Sequence, residues 1–208
     1  MNVWGWITKL WRKPEPPKKR SRRKVPKRLS RADVQALLDA PDLGSATGLR
    51  DRCMMELMYR AGLRVSEVVK LMPRDVEPEG IVRVWQGKGG VDRTAYFDPS
   101  RVWPLVSQWS SRRDSFARPE SPLFCGLRGQ QLTTRFVQQS VSRYRREAGI
   151  TAHATPHTLR HSFASELLEE GFDLRQVQTL LGHANVATTE IYTHISDVRL
   201  QRQVGDRT

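Results

Sequence analysis

Residues 156–164 read "PHTLRHSFA", an apolar segment that opens with His157, Arg160 and His161. At about 100° per residue, positions three apart share one helical face, so His157 and Arg160 can point at the same object. Pro156 marks the break before the helix. His157 therefore falls near the partially positive N-terminal end, where an anion is favoured. A phosphate suits such a place: an anion for the helix end, a guanidinium fork for its oxygens and a titratable ring for proton work. The same spacing also serves a cap or a salt bridge, and the nonapeptide alone does not separate these readings. His157 and His161 form H-x-x-x-H, with His153 and His183 nearby. However, Thr158 stands where a zinc helix of this kind carries Glu, and there is no cysteine cluster. No metal site and no cofactor are expected.

Around this segment the chain alternates helical patterns with one hairpin. "SRADVQALLDAP" (30–41) begins with Ser30 as a cap, has Asp33 in the capping-box position and stops at Pro41. "TGLRDRCMMELMYRAG" (47–62) has helical apolar spacing and ends at Gly62, a residue suited to the left-handed position that closes a helix. "VSEVVKL" is a short helix. "IVRVWQGKGGVDRTAYF" (81–97) reads as two strands around a Gly-rich turn at 87–90. Further helices are predicted over 101–112 and 134–148, from near His157, from Asp173 to Leu181 and in "TTEIYTHI". The fold class is mainly α with a small antiparallel β-sheet.

Other residues carry chemistry. Arg64 follows the helix-ending Gly62, and Glu67, three residues on, can hold it by a carboxylate fork. Lys88 stands at the tip of the turn. Tyr192 lies nine residues after His183. On one unbroken helix that separation turns about 900° and puts the two on opposite faces, so "ANVATT" must break the element if they are to meet. Each has a plainer reading: a surface ion pair for Arg64, a solvated turn for Lys88, a core aromatic for Tyr192.

Charge adds a partner. The 208 residues carry 35 Lys/Arg against 22 Asp/Glu, a formal net charge of +13, which points to a polyanion. Residues 1–28 hold eleven of those basic residues, among them Lys18, Lys19, Arg20, Arg22, Arg23 and Lys24, and one acid, Glu15. "PEPPKKRSRRKVPKR" is expected to be an extended basic arm, since prolines and like charges oppose compaction. Residues 29–208 then form the globular domain. Trp4, Ile7 and Trp11 recur at helical spacing and suit a partner, a membrane surface or packing on the domain itself. No apolar run reaches the roughly 20 residues of a membrane span, and no secretory signal is read at the N-terminus. Cys53 and Cys125 lie in apolar surroundings without a C-x-x-C pair, as expected for buried free thiols in a reducing compartment, the cytoplasm.

The ordered set "AGLRVSE", strand-turn-strand with Lys, "HTLRHSFA" and "LLGHANVATTEIYTH" closely resembles the tyrosine recombinases, or phage-type integrases, and most nearly their Xer-like branch, over about residues 29–200. The resemblance implies the catalytic-domain fold of that family, with signature positions at Arg64, Lys88, His157, Arg160, His183 and Tyr192. It implies a site-specific DNA recombinase in which Tyr192 forms a 3′-phosphotyrosyl intermediate, acting on double-stranded DNA as a tetramer on paired sites, with a second recombinase or accessory protein as a further expected partner. It also implies DNA contacts from the 134–148 helix, where Arg135, Gln138, Arg143 and Arg146 stand; a solvated basic face fits those residues equally well. The family usually carries a helical domain ahead of the catalytic one, and residues 1–28 stand in that place. The alternative is a DNA-binding accessory or regulatory protein that keeps the fold without independent recombination.

Overall fold

The computed structural model describes residues 28–85, 92–182 and Val204. Seven α-helices lie within them: α1 (Arg31–Asp39), α2 (Ala46–Arg60), α3 (Val65–Val68), α4 (Pro99–Arg113), α5 (Thr134–Glu147), α6 (Pro156–Glu169) and α7 (Leu174–Leu181). A single antiparallel sheet of three strands, in the order β1 (Val76–Glu77), β2 (Ile81–Val84) and β3 (Arg93–Tyr96), stands between α3 and α4. The mainly α architecture with a small sheet is the one expected.

The caps follow from short polar side chains. Ser30 Oγ accepts the Asp33 N–H at 3.0 Å, and Ser45 Oγ accepts that of Gly48 at 3.0 Å. Asp98, Thr133 and Asp173 start α4, α5 and α7 in the same way. The hairpin pairs Ile81 with Tyr96 and Val84 with Arg93, so Val84 and Arg93 flank the stretch of sequence that contains Lys88. Residues 86–91, the "TTEIYTHI" segment and residues 1–27 lie outside the described residues. The strand β1 was not expected. Two residues are too few to show a period-2 pattern, and it exists because Val76 and Glu77 pair with Val82 and Ile81.

Helix α2 is the axle of the core. Leu49, Cys53, Met54, Leu57 and Met58 are all buried, and it packs against both α4 and α6. A helix apolar on most sides has to be enclosed. Its polar residues are paired: Asp51 accepts from Arg50 Nε at 2.9 Å and from Tyr144 Oη of α5 at 3.1 Å. Both cysteines are buried and free. A second, smaller cluster joins β3, α6 and α7 through Tyr96, Phe163, Leu167, Val177, Leu180 and Leu181. It draws the strand that opens with Arg93 against the end of α7. Among the described residues no helix is long and apolar enough to cross a membrane.

The two clusters meet at Gly62, which has φ +62°. A Cβ there would lie 2.6 Å from Phe163 Cδ1 and 3.0 Å from Leu181 Cδ2. Only glycine lets the end of α2 approach α6 and α7 this closely. Gly62→Ala is therefore expected to lower unfolding free energy by about 1–3 kcal/mol, from the left-handed backbone alone and more from the clash. Urea denaturation measures it; a change within about 0.5 kcal/mol, the range of an ordinary surface substitution, would contradict this packing.

Candidate phosphate-binding site

Directly after Gly62 the chain turns into α3, whose N-cap residue is Arg64. Glu67 serves it twice. Its Oε2 accepts the Arg64 backbone N–H at 2.7 Å and its Oε1 accepts Arg64 Nη1 at 2.8 Å. One carboxylate both caps the helix and fixes the guanidinium, as the three-residue spacing predicts. Arg64 keeps 37% of its side-chain surface exposed while Glu67 keeps 7%. The pair thus presents a cation outward and hides its anion.

Arg160 arrives from α6. That helix is opened by Thr155 and Thr158, whose hydroxyls cap each other's backbone N–H groups at 3.2 and 2.6 Å, with Pro156 in the first turn. Arg160 is buried. Its Nη1 donates to Gly62 O, its Nη2 donates to Leu181 O at 2.7 Å, and Nη1 stands 3.9 Å from Glu67 Oε2. Arg64 Nη2 reaches Gly182 O at 3.4 Å. Both guanidiniums therefore converge on the last carbonyls of α7, immediately before His183. His157 is exposed in the first turn of α6. It borders a groove of about 530 Å³ together with Arg160, His153 and His161, closed on its apolar side by Leu174 and Leu181.

A third guanidinium completes the cluster. Arg93 Nη2 donates to Glu67 Oε2 at 2.8 Å. Three cations thus surround one anion, an excess of two positive charges. Burial, followed by repulsion from Arg64 and Arg93, draws Arg160 down to about 10. Burial would raise the Glu67 carboxyl, but the charge of Arg93 and the Arg64 bonds outweigh it and hold the group below its ordinary value. Such a cluster is relieved by an incoming anion. A phosphodiester brings one negative charge and oxygens that match forked donors.

The structure thus brings together Arg64, Glu67 and Arg160, and places His157 on the groove that Arg160 also lines. Lys88, His183 and Tyr192 lie outside the described residues, as do Lys18, Lys19, Arg20, Arg22, Arg23 and Lys24 of the arm. On α5, Val137, Val141 and Tyr144 are buried, leaving Arg135, Gln138 and Arg143 exposed on the other side. Arg143 is partly engaged at home, 3.6 Å from Asp51 and 3.7 Å from Glu147. Among the described residues no group of three metal-ligating side chains gathers. Arg93 was missed. Ala95, Tyr96 and Phe97 are buried one after another, so the strand shows no alternation that would mark Arg93 as inward-facing.

The model of the phage integrase family matches residues 27–199 of the chain. The chain belongs to that family. It is 46% identical over 181 residues to tyrosine recombinase XerD of Pseudomonas putida, covering 86% of this chain and 60% of that protein. To tyrosine recombinase XerD of Ralstonia nicotianae it is 47% identical over 186 residues, covering 86% and 59%. The chain thus spans about three fifths of the length of these curated relatives. Among solved structures, XerA recombinase aligns with a TM-score of 0.70 at 31% identity, over 88% of this chain and 66% of that one. XerH site-specific recombinase bound to palindromic difH substrate, a post-cleavage complex, aligns at 0.69 and 27% identity, over 88% and 54%. The fold is that of the tyrosine recombinase catalytic domain, of the Xer-like kind that the motifs resemble.

Glu67→Gln tests the electrostatics. A carboxyl held below its unfolded value contributes stability above that value, near pH 4.3, and loses it as pH falls through the folded one. At pH 7 the variant is expected to be less stable by about 3 kcal/mol or more, because buried cations lose their counter-ion. The gap should close as pH falls below the ordinary carboxylate value and through the lowered folded one. Urea melts at several pH values measure it, and a gap independent of pH would contradict the assignment.

Proposed function

We propose that this chain is a site-specific DNA strand-exchange enzyme working through a 3′-phosphotyrosyl intermediate. The observation that supports it best is the buried Glu67 carboxylate with Arg64 and Arg160 gathered about it, an anion site with cationic excess at the positions where the family resemblance puts phosphate ligands. In this reading the Tyr192 oxygen attacks the scissile phosphorus. The Tyr192 O–P bond forms, the bond to the 5′ oxygen breaks, and the phenol proton leaves with help from His157. Lys88 supplies a proton to the departing 5′ oxygen. A 5′-hydroxyl of a partner strand then attacks the phosphotyrosine and restores both groups. The ester link conserves the bond's free energy, so the exchange needs no external energy source.

The residues are suited to these tasks. Free tyrosine ionises near pH 10, so only about a thousandth is phenolate at neutral pH, and the site has to stabilise the charge that develops. Arg64 and Arg160, held by fixed carbonyl and carboxylate partners, face the pentavalent phosphate without reorganising, and His183 adds a donor. Removing one donor of this kind costs about 10²–10³ in rate. The basic arm 1–28 and the exposed face of α5 add phosphate contacts that are independent of sequence, together with candidate base readers in Arg135 and Gln138. The same reading places the protein on double-stranded DNA in the cytoplasm, as four copies on two sites, alone or with a second recombinase.

The test is covalent attachment. Purified protein is mixed with fragmented DNA of its source genome, and fragments that survive denaturation on the protein are sequenced. A nicked duplex of that sequence then serves as suicide substrate. Wild type is expected to give an adduct on a denaturing gel, and Tyr192→Phe is expected to give none while its DNA affinity changes by less than about threefold, since only a hydroxyl is lost. An adduct in the variant would overturn the assignment of the nucleophile. Wild-type binding without any adduct would favour the accessory reading.

A further inference from the structure

Arg93 was not among the residues that the motifs single out, yet it occupies the junction of the site. Its side chain is only 6% exposed. From β3 it reaches in two directions: Nη2 donates to Glu67 Oε2 at 2.8 Å and Nη1 donates to Leu180 O, at the end of α7, at 3.0 Å. Its aliphatic part fills the space beside Gly182, where a Cβ would lie 2.1 Å from Arg93 Cδ. Gly182 itself closes α7 at φ +63°. Arg93 also pairs across the hairpin with Val84, the last residue of β2, so the two residues flank the stretch of sequence that includes Lys88.

We propose that Arg93 is a positioning residue, a two-pronged tether that registers the Lys88 hairpin against the Arg64–Glu67 unit and against the end of α7 that leads into His183. The inference rests on the strand-exchange reading above. Stability does not account for such a residue. Arg93 Nε is buried and finds no hydrogen-bond partner among the described residues, and a buried ion pair of this kind is often no better for stability than apolar packing. What the guanidinium does that an apolar side chain cannot is hold two acceptors from separate elements at fixed distances. Lysine keeps the charge but has no planar fork to span both. Its loss would let the hairpin and the α7 end move independently of Arg64, and small misplacement of reacting groups costs as much as about 10²-fold in rate.

Arg93→Lys and Arg93→Gln in the full chain separate this from a structural role. The nicked duplex identified with the wild type is the substrate. Single-turnover adduct formation at saturating protein gives the cleavage rate, and titration of the same duplex gives affinity. Arg93→Lys is expected to fold, to bind within about threefold of wild type, and to cleave about 10- to 100-fold more slowly. Arg93→Gln is expected to be slower still. It should also move the acid limb of the rate profile to higher pH, because Glu67 then faces only Arg64 from the start of α3 and Arg160 from α6. Arg93→Lys cleaving within twofold of wild type would overturn the inference while leaving the strand-exchange reading intact. So would variants whose slower cleavage merely tracks lower thermal stability, with an unmoved acid limb. A wild type that binds the duplex without forming an adduct would overturn both.

Discussion

The carboxylate of Glu67 stands among three guanidiniums, and the site exists because of it. Like charges held about 4 Å apart near a protein surface repel by about 4 kcal/mol. Arg64, Arg93 and Arg160 would therefore push one another apart without a counter-charge. Glu67 gives one oxygen to Arg64 Nη1 and the other to the Arg64 backbone and Arg93 Nη2, with Arg160 at 3.9 Å. It neutralises one of three charges and leaves two. That balance holds the cluster together with a net positive charge.

The rest of the fold brings distant segments to this carboxylate. Gly62 removes the side chain that would keep α2 away from Phe163 and Leu181. Arg160 exploits that approach by bridging Gly62 O and Leu181 O. The small cluster of Tyr96, Phe163 and Leu180 presses β3, α6 and α7 together, and Arg93 crosses the seam. The buried aliphatic core around α2 acts as a rigid bearing for these contacts. Well-packed interiors transmit rather than absorb small displacements, which is what a site built from four separate segments requires.

How much of this was legible beforehand depends on the range of the interaction. Glu67 and Arg64 are three residues apart, so their contact is a local property of a helix start and was readable from "LRVSE". The capping of α1 by Ser30 and the left-handed Gly62 were local in the same sense. The hairpin was readable because its pairing is set by adjacent runs and a Gly-rich turn. Arg160 sharing a site with Arg64 was not readable from spacing at all; it came only from the resemblance of the ordered motifs, and its approach to Glu67 appeared only in the structure, because it depends on how α6 packs against the end of α2. Arg93 escaped because a lone arginine on a short strand looks like solvated polarity until α7 is laid across it. The strand β1 escaped because two residues carry no periodicity, and only pairing with β2 defines it.

The most direct measurement is a structure of the protein on a nicked duplex of its own target sequence. The account predicts the scissile phosphate within hydrogen-bond distance of both Arg64 and Arg160, with the Glu67 carboxylate behind them and Tyr192, Lys88 and His183 around the same phosphorus. A phosphate backbone that passes elsewhere, leaving Arg64 and Arg160 paired only with protein atoms, would contradict it.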